Sequence, residues 1–174
     1  MNDIVIILLL ILLNGIFSMS EIALISARKS RLTNDAKRGS AGAAAAIRLS
    51  KDPDRFLSTI QIGITLIGIL TGLYSGAALA DDLGKALLQW GLRPNIAHNI
   101  AQISIVIAVT YLSIVVGELV PKRIGLTMAD SVAKIVSRPM RLLSVIAMPA
   151  VWLLSRSTAL IVKVAGLEHK DNGV

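Results

Sequence analysis

The residues in this chain best suited to chemistry sit together in Gly117-Glu118-Leu119-Val120-Pro121-Lys122, which closes an apolar run over residues 100–116. Pro121 has no backbone N–H, and it biases Val120 away from helical geometry. A helix arriving here is expected to break and to leave carbonyls without intrahelical partners. Open carbonyls beside the Glu118 carboxylate, at the edge of apolar sequence, are what a cation site requires. Irregular backbone at membrane depth is tolerated where it is buried in protein or lines a cavity. A second ionisable group, Glu21, lies at the end of another apolar run with Ser18 and Ser20 beside it. At about 100° per residue, Asn14, Ser18 and Glu21 share one helical face, and Ser20 and Ser26 point elsewhere. The bland reading of Ser18 and Ser20 is hydroxyls bonding back to helical carbonyls.

Composition says what surrounds these groups. The 174 residues are 54% hydrophobic and 17% charged, with a mean hydropathy of +0.71, too apolar for an ordinary soluble domain. With no cysteine, disulfides and thiolate metal sites are excluded. His98 and His169 are too far apart in sequence to suggest zinc. The net charge of +7 flanks apolar runs, which fits membrane topology and anionic lipid rather than nucleic acid. The N-terminus lacks both a basic start and a small-residue cleavage site, so it reads as a retained span rather than a signal peptide.

The elements that must position the chemistry are three spans, about residues 4–26, 56–80 and 96–117, each near the length a bilayer requires. The second carries Ser58, Gln61, Thr65, Gly68, Gly72 and Ser75 at helical spacing. The third carries Asn99, Gln102, Thr110, Ser113 and Gly117 on one face. Such stripes either pack helices closely or line an ion path. Between the first two spans, residues 28–55 hold eight basic residues against three acidic ones. That excess places the segment in the cytoplasm, with a short Ala-rich helix over 41–49. The connection 81–95 has no basic excess and reads as external, with an amphipathic stretch at 83–90. Residues 124–138 read as a short surface helix. Residues 139–166 place Arg141, Ser144, Ser155, Arg156 and Lys163 on one face with a kink at Pro149, which favours a belt lying in the interface over a fourth span. The N-terminus is then outside and the C-terminus inside. The polar tail 168–174 ends abruptly, as if a larger cytosolic region were absent.

These residues resemble the transmembrane module of the CorC/CNNM family of magnesium transporters, whose bacterial members are often called hemolysin-like. The resemblance rests on Asn14-Gly15-Ile16-Phe17-Ser18-Met19-Ser20-Glu21-Ile22-Ala23-Leu24, on Gln61-Ile62-Gly63-Ile64-Thr65-Leu66, and on Gly117-Glu118-Leu119-Val120-Pro121-Lys122. It implies an all-α membrane protein forming a single domain over 1–174: a homodimer with three spans per subunit, short cytosolic helices and a juxtamembrane belt. It also implies a largely dehydrated Mg²⁺ site formed by Ser18 or Ser20, the Gly117 carbonyl and Glu118. Where some relatives carry Asn or Ser, this chain has Gly68, so a carbonyl, a water or Thr65 would act there. Glu21 either lines the same cavity or holds a neighbouring helix end. The candidate metal set is therefore Ser18, Ser20, Glu21, Thr65, Gly68, Gly117 and Glu118. The resemblance further suggests magnesium export driven by sodium across a bacterial or archaeal plasma membrane. The competing reading is a membrane-anchoring, dimerising or magnesium-sensing module that moves no ion. An intramembrane enzyme would need a nucleophile and base. Ser18 or Ser20 with Glu21 supplies no oriented base, and His98 lies near the opposite face. A lytic toxin fits poorly with polar stripes that suit a fixed bundle.

Overall fold

The computed structural model describes residues 2–166; the polar tail 168–174 lies outside the described residues. Every described element is helical: α1 (Asn2–Ser26), α2 (Lys29–Lys37), α3 (Ala41–Ser50), α4 (Pro53–Tyr74), α5 (Ala80–Gln89), α6 (Pro94–Ile114), α7 (Val120–Thr127), α8 (Ala129–Ile146) and α9 (Met148–Val164). Two π-helical segments, Ser75–Leu79 and Val115–Leu119, join α4 to α5 and α6 to α7 without a break. Among the described residues three helices are long and apolar enough to cross a membrane, α1, α4 and the continuous helix Pro94–Thr127, with α8 and α9 a fourth only if that bent pair acts as one span. The chain is an all-α, multi-pass membrane protein.

Helix α1 is the centre of the bundle. Ile7, Ile11, Gly15 and Ser18 recur every three or four residues and are all buried, so one stripe of α1 meets the other spans. Leu8, Leu9, Leu12, Leu13 and Ile16 stay exposed, as lipid-facing positions must be when no water drives their burial. The close approach of α7 depends on Gly125, where an added Cβ would stand 2.8 Å from the Met19 carbonyl oxygen. At Gly63, an added Cβ would press on the Phe17 ring at 2.9 Å.

The basic end of the bundle has a core of its own. Leu32, Ala43, Ala46, Leu49, Phe56, Ile60, Val132, Ala133 and Met140 pack with Ala23 and Leu24 at the end of α1. Helix α2 ends in a tight C-terminal motif: the Gly39 N–H donates to Ala36 and the Ser40 N–H to Asp35. Gly39 takes φ 96°, which favours glycine. Ser40 then caps α3, accepting from the Ala43 N–H at 3.2 Å. Helix α8 is tied to this hairpin by Lys134–Asp35 at 2.8 Å and Arg31–Asp130 at 3.5 Å. The Asp130 carboxylate also accepts the Arg28 N–H at 2.8 Å. At the other end, α5 folds back on α6 through Leu87, Ala97 and Ala101.

Three sequence expectations are corrected. The chain does not break at Gly117–Pro121, because Val120 is helical (φ −64°, ψ −48°) and Pro121 sits in the first turn of α7. The boundary expected at Pro139 is absent, since α8 runs through it to Ile146. The bend falls at Ala147, where α8 and α9 meet at 66°. That bend separates Arg141 and Ser144 from Ser155, Arg156 and Lys163, so the five do not form one continuous face. Ser144 is buried in α8, whereas the described residues of α9 include no buried one.

The Lys134 ammonium beside Asp35 holds the Asp35 carboxyl below its ordinary value, mainly through their hydrogen bond. A depressed folded-state value stabilises above the unfolded value of about 3.9 and is lost as pH falls through the folded one. The α2–α8 tether should therefore be insensitive to pH from neutrality down to about 5 and fade below about 4. Because the Met19 carbonyl is backbone and cannot move aside, Gly125→Ala should destabilise the bundle by about 1–3 kcal/mol. A lowered thermal midpoint in detergent would report it.

Candidate functional site

Pro121 sets the local geometry. Its missing N–H is the one that would bond the Gly117 carbonyl in an α-helix. The backbone reroutes through a π turn, in which the Val120 N–H donates to the Val115 carbonyl. The Gly117 carbonyl instead accepts the Asn14 side-chain N–H at 3.0 Å. This contact crosses from α1 to the third span and needs two glycines. A Cβ on Gly15 would stand 3.0 Å from Pro121 Cγ and 3.1 Å from the Val116 carbonyl oxygen; one on Gly117 would stand 3.1 Å from Asn14 Nδ2. The open carbonyl read from the sequence thus exists, and an amide from the same molecule takes it.

Beside this contact lies a cavity of about 380 Å³ between α1, α4 and the third span. Asn14, Thr71, Ser75, Thr110, Ser113 and Glu118 supply its polar groups. Both π segments border it, one contributing Ser75 and Gly76, the other Glu118. Single-turn π segments widen a helix and re-aim the side chains they carry. The Thr71 hydroxyl donates to the Ile67 carbonyl at 2.7 Å and Ser75 to Gly72 at 3.2 Å. With their protons committed to backbone, both oxygens keep lone pairs to accept with. Asn14 likewise spends an N–H on Gly117 and retains its carbonyl oxygen. Gly68, Gly72 and Gly76 form part of the wall, and an added Cβ at any of them would meet nothing within 4 Å.

Of the seven metal candidates, only Glu118 and Gly68 line this cavity. Gly117 is buried behind it with its carbonyl engaged by Asn14. Ser18 and Ser20 are buried, at 1% and 0% exposure. Ser20 bonds back to the Ile16 carbonyl at 2.6 Å, the bland reading of that residue. Glu21 is half-buried and lies about 10 Å along α1 from Asn14. Thr65 opens onto a different groove, with Ser58 and Gln61, between α4 and α9. The second-span stripe therefore divides, because α9 flanks only its first half while α1 and the third span enclose its second.

Asn14, Ser75, Thr110 and Ser113 were legible as polar positions without being distinguishable as site residues. Thr71 falls outside the stripe, and only the packing of α4 reveals it. Among the described residues no three His, Cys, Asp or Glu side chains gather as a metal cluster. The site is one carboxylate amid neutral oxygens.

An all-α bundle with three span-length helices, around a largely apolar cavity that carries one carboxylate and several neutral oxygens, defines a polytopic membrane protein. The chain belongs to the cyclin M (CNNM) family: a family model described as the cyclin M transmembrane N-terminal domain matches residues 5–174. It is similar to UPF0053 protein sll0260 of Synechocystis sp., 46% identical over 95% of this chain and 37% of that one. It is similar to UPF0053 protein YhdP of Bacillus subtilis, at 32% identity over 95% of this chain and 37% of the relative. It is also similar to the polyamine export protein of Escherichia coli K12, at 29% identity over 94% of this chain and 36% of the relative. The chain thus spans a little over a third of these curated relatives.

If Asn14 satisfies a carbonyl that Pro121 leaves open, the two residues must be coupled. Asn14→Ala should cost about 1–3 kcal/mol, the usual cost of an unsatisfied buried group. In a Pro121→Ala background, which restores an N–H for Gly117, the same change should cost less. A thermal-stability double-mutant cycle measures the difference; additivity within about 0.3–0.5 kcal/mol would contradict the coupling.

Proposed function

We propose that this chain is the transport module of a magnesium transporter, moving the ion by exposing the Glu118 cavity alternately to the two membrane faces. The observation that carries this reading is the convergence of one carboxylate with hydroxyl and amide oxygens from three helices. Magnesium prefers an oxygen octahedron at about 2.0–2.1 Å and sheds water reluctantly. Asn14, Thr71, Ser75, Ser113 and Glu118 offer only hard ligands, which disfavours zinc and copper. The cavity has room for water beside an ion, so part of the hydration shell stays on in this conformation. One carboxylate leaves a divalent ion half neutralised, which favours release as well as capture. The same carboxylate balances one Na⁺ fully, and this suits export driven by a sodium gradient.

The protein works as a homodimer in this reading, with its N-terminus outside and C-terminus inside a bacterial-type plasma membrane. Ile103, Ile107 and Tyr111 form an exposed apolar stripe on α6, which suits lipid or a second subunit.

A second reading has a specific motive in the Escherichia coli relative named a polyamine export protein. An alkylammonium group would donate to the same acceptors and be balanced by Glu118. Proteoliposomes loaded with a magnesium-sensitive dye, with and without a sodium gradient, test the first reading; radiolabelled spermidine tests the second. Magnesium flux that rises with the gradient and falls to the empty-liposome level in Glu118→Gln is expected. Spermidine flux without magnesium flux would replace the substrate. Flux of neither would leave a membrane-anchoring or sensing module. Gly68→Ser, which adds a hydroxyl where a Cβ meets nothing, should retain flux, read in the same assay.

A further inference from the structure

At the basic end of the bundle, remote from Glu118, α3, the start of α4 and α8 form a cleft made of two adjoining pockets. The inner part, about 190 Å³, is lined by Arg48, Arg55, Arg141 and Ser144, with Asp52 the one carboxylate. The outer part, about 460 Å³, shares Arg48, Arg141 and Val145 and adds Arg138. Four arginines therefore line two adjoining pockets that share Arg48 and Arg141. The two ion pairs among the described residues, Arg31–Asp130 and Lys134–Asp35, use none of them.

Two further observations point to a ligand. Ser144, which lines the inner pocket, is 3% exposed, and its buried hydroxyl has no hydrogen-bond partner. Arg55 Nε, on the same wall, is buried and also without one. Buried polar groups are rarely left unpaired, because each costs about 1–3 kcal/mol. The cleft also receives the first turn of α4, where Pro53 follows Asp52 and the Asp52 side chain makes no capping bond. Backbone donors at such a terminus favour an anion.

We propose that this cleft binds a phosphate group, held by Arg48, Arg55 and Arg141 and by the Ser144 hydroxyl. Guanidinium forks match tetrahedral oxyanions and give the strongest charge-assisted hydrogen bonds. The phosphate belongs to an anionic phospholipid headgroup. The cleft lies where α4 enters its apolar run, and its outer wall is Ala41, Ala44, Ala45, Leu142 and Val145, an apolar surface for the start of an acyl chain. A free phosphate ester would use the same donors but not that wall. A lipid seated here would brace α8 against α3 and α4, fixing the helices that follow the third span.

The full chain, delipidated in detergent, is titrated by calorimetry and native mass spectrometry with short-chain phosphatidylglycerol, short-chain phosphatidylcholine and inorganic phosphate. One saturable phosphatidylglycerol per chain is expected, weakened about tenfold in Arg141→Gln or Arg48→Gln and about fivefold in Ser144→Ala. Lys37→Gln, which removes a charge from exposed α2, should bind as the unaltered chain does. Binding of inorganic phosphate with the same dependence would keep the anion site and reassign its source to a soluble ligand. Equal weakening by Lys37→Gln and Arg141→Gln, or no saturable binding of either anion, would overturn the site. If Arg141→Gln loses its helical circular dichroism, the exposed Arg48→Gln carries the comparison. A Ser144→Ala chain that gains thermal stability and binds unchanged would assign the hydroxyl no ligand.

Discussion

The bundle depends on one carbonyl that its own helix cannot satisfy. Pro121 removes the donor that Gly117 would use, and Gly117 is buried, so its carbonyl needs a partner from the protein. Asn14 supplies the donor from α1 at 3.0 Å. For that reach to be short, Gly15 and Gly117 must lack side chains, since a Cβ on either would crowd the other helix. Asparagine, proline and two glycines thus act as a unit. The unit locks α1 to the third span and holds open the π turn that carries Glu118.

The cavity follows from that lock. Once α1 and the third span are fixed, α4 closes the remaining side with a wall of glycines at 68, 72 and 76 and two hydroxyls already bonded to backbone. The hydroxyls arrive as acceptors, which is the right polarity for a cation and the wrong one for an anion. A second site of opposite sign lies at the basic end, where arginines of α3, α4 and α8 share a cleft. The chain thus places its carboxylate-bearing cavity and its arginine-bearing cleft apart.

Much of this was legible in the sequence. Apolar run length located the three long apolar helices, although the third runs on to Thr127 rather than stopping near 117, and the alanine run located α3. The Gly-Glu-x-x-Pro segment marked the residue that lines the cavity. What was not legible has physical causes. Proline signals a missing donor but does not say whether the chain will break or absorb the loss in a π turn; the donor that takes the freed Gly117 carbonyl is Asn14, 103 residues before it. A polar stripe gives a helical face but not its neighbour, so Thr65 and Gly68 looked equivalent although α9 flanks one and Glu118 the other. The 66° bend at Ala147 has no sequence marker beyond Pro149, and it divides what periodicity alone joins into one basic face.

The central claim is that Glu118, and not Glu21, is the carboxylate that meets the cation. Magnesium-induced difference infrared spectroscopy on the reconstituted chain addresses it directly, since coordination shifts carboxylate stretching bands. The shift should vanish in Glu118→Gln and persist in Glu21→Gln. A shift that persists in Glu118→Gln, or one lost only in Glu21→Gln, would contradict the account.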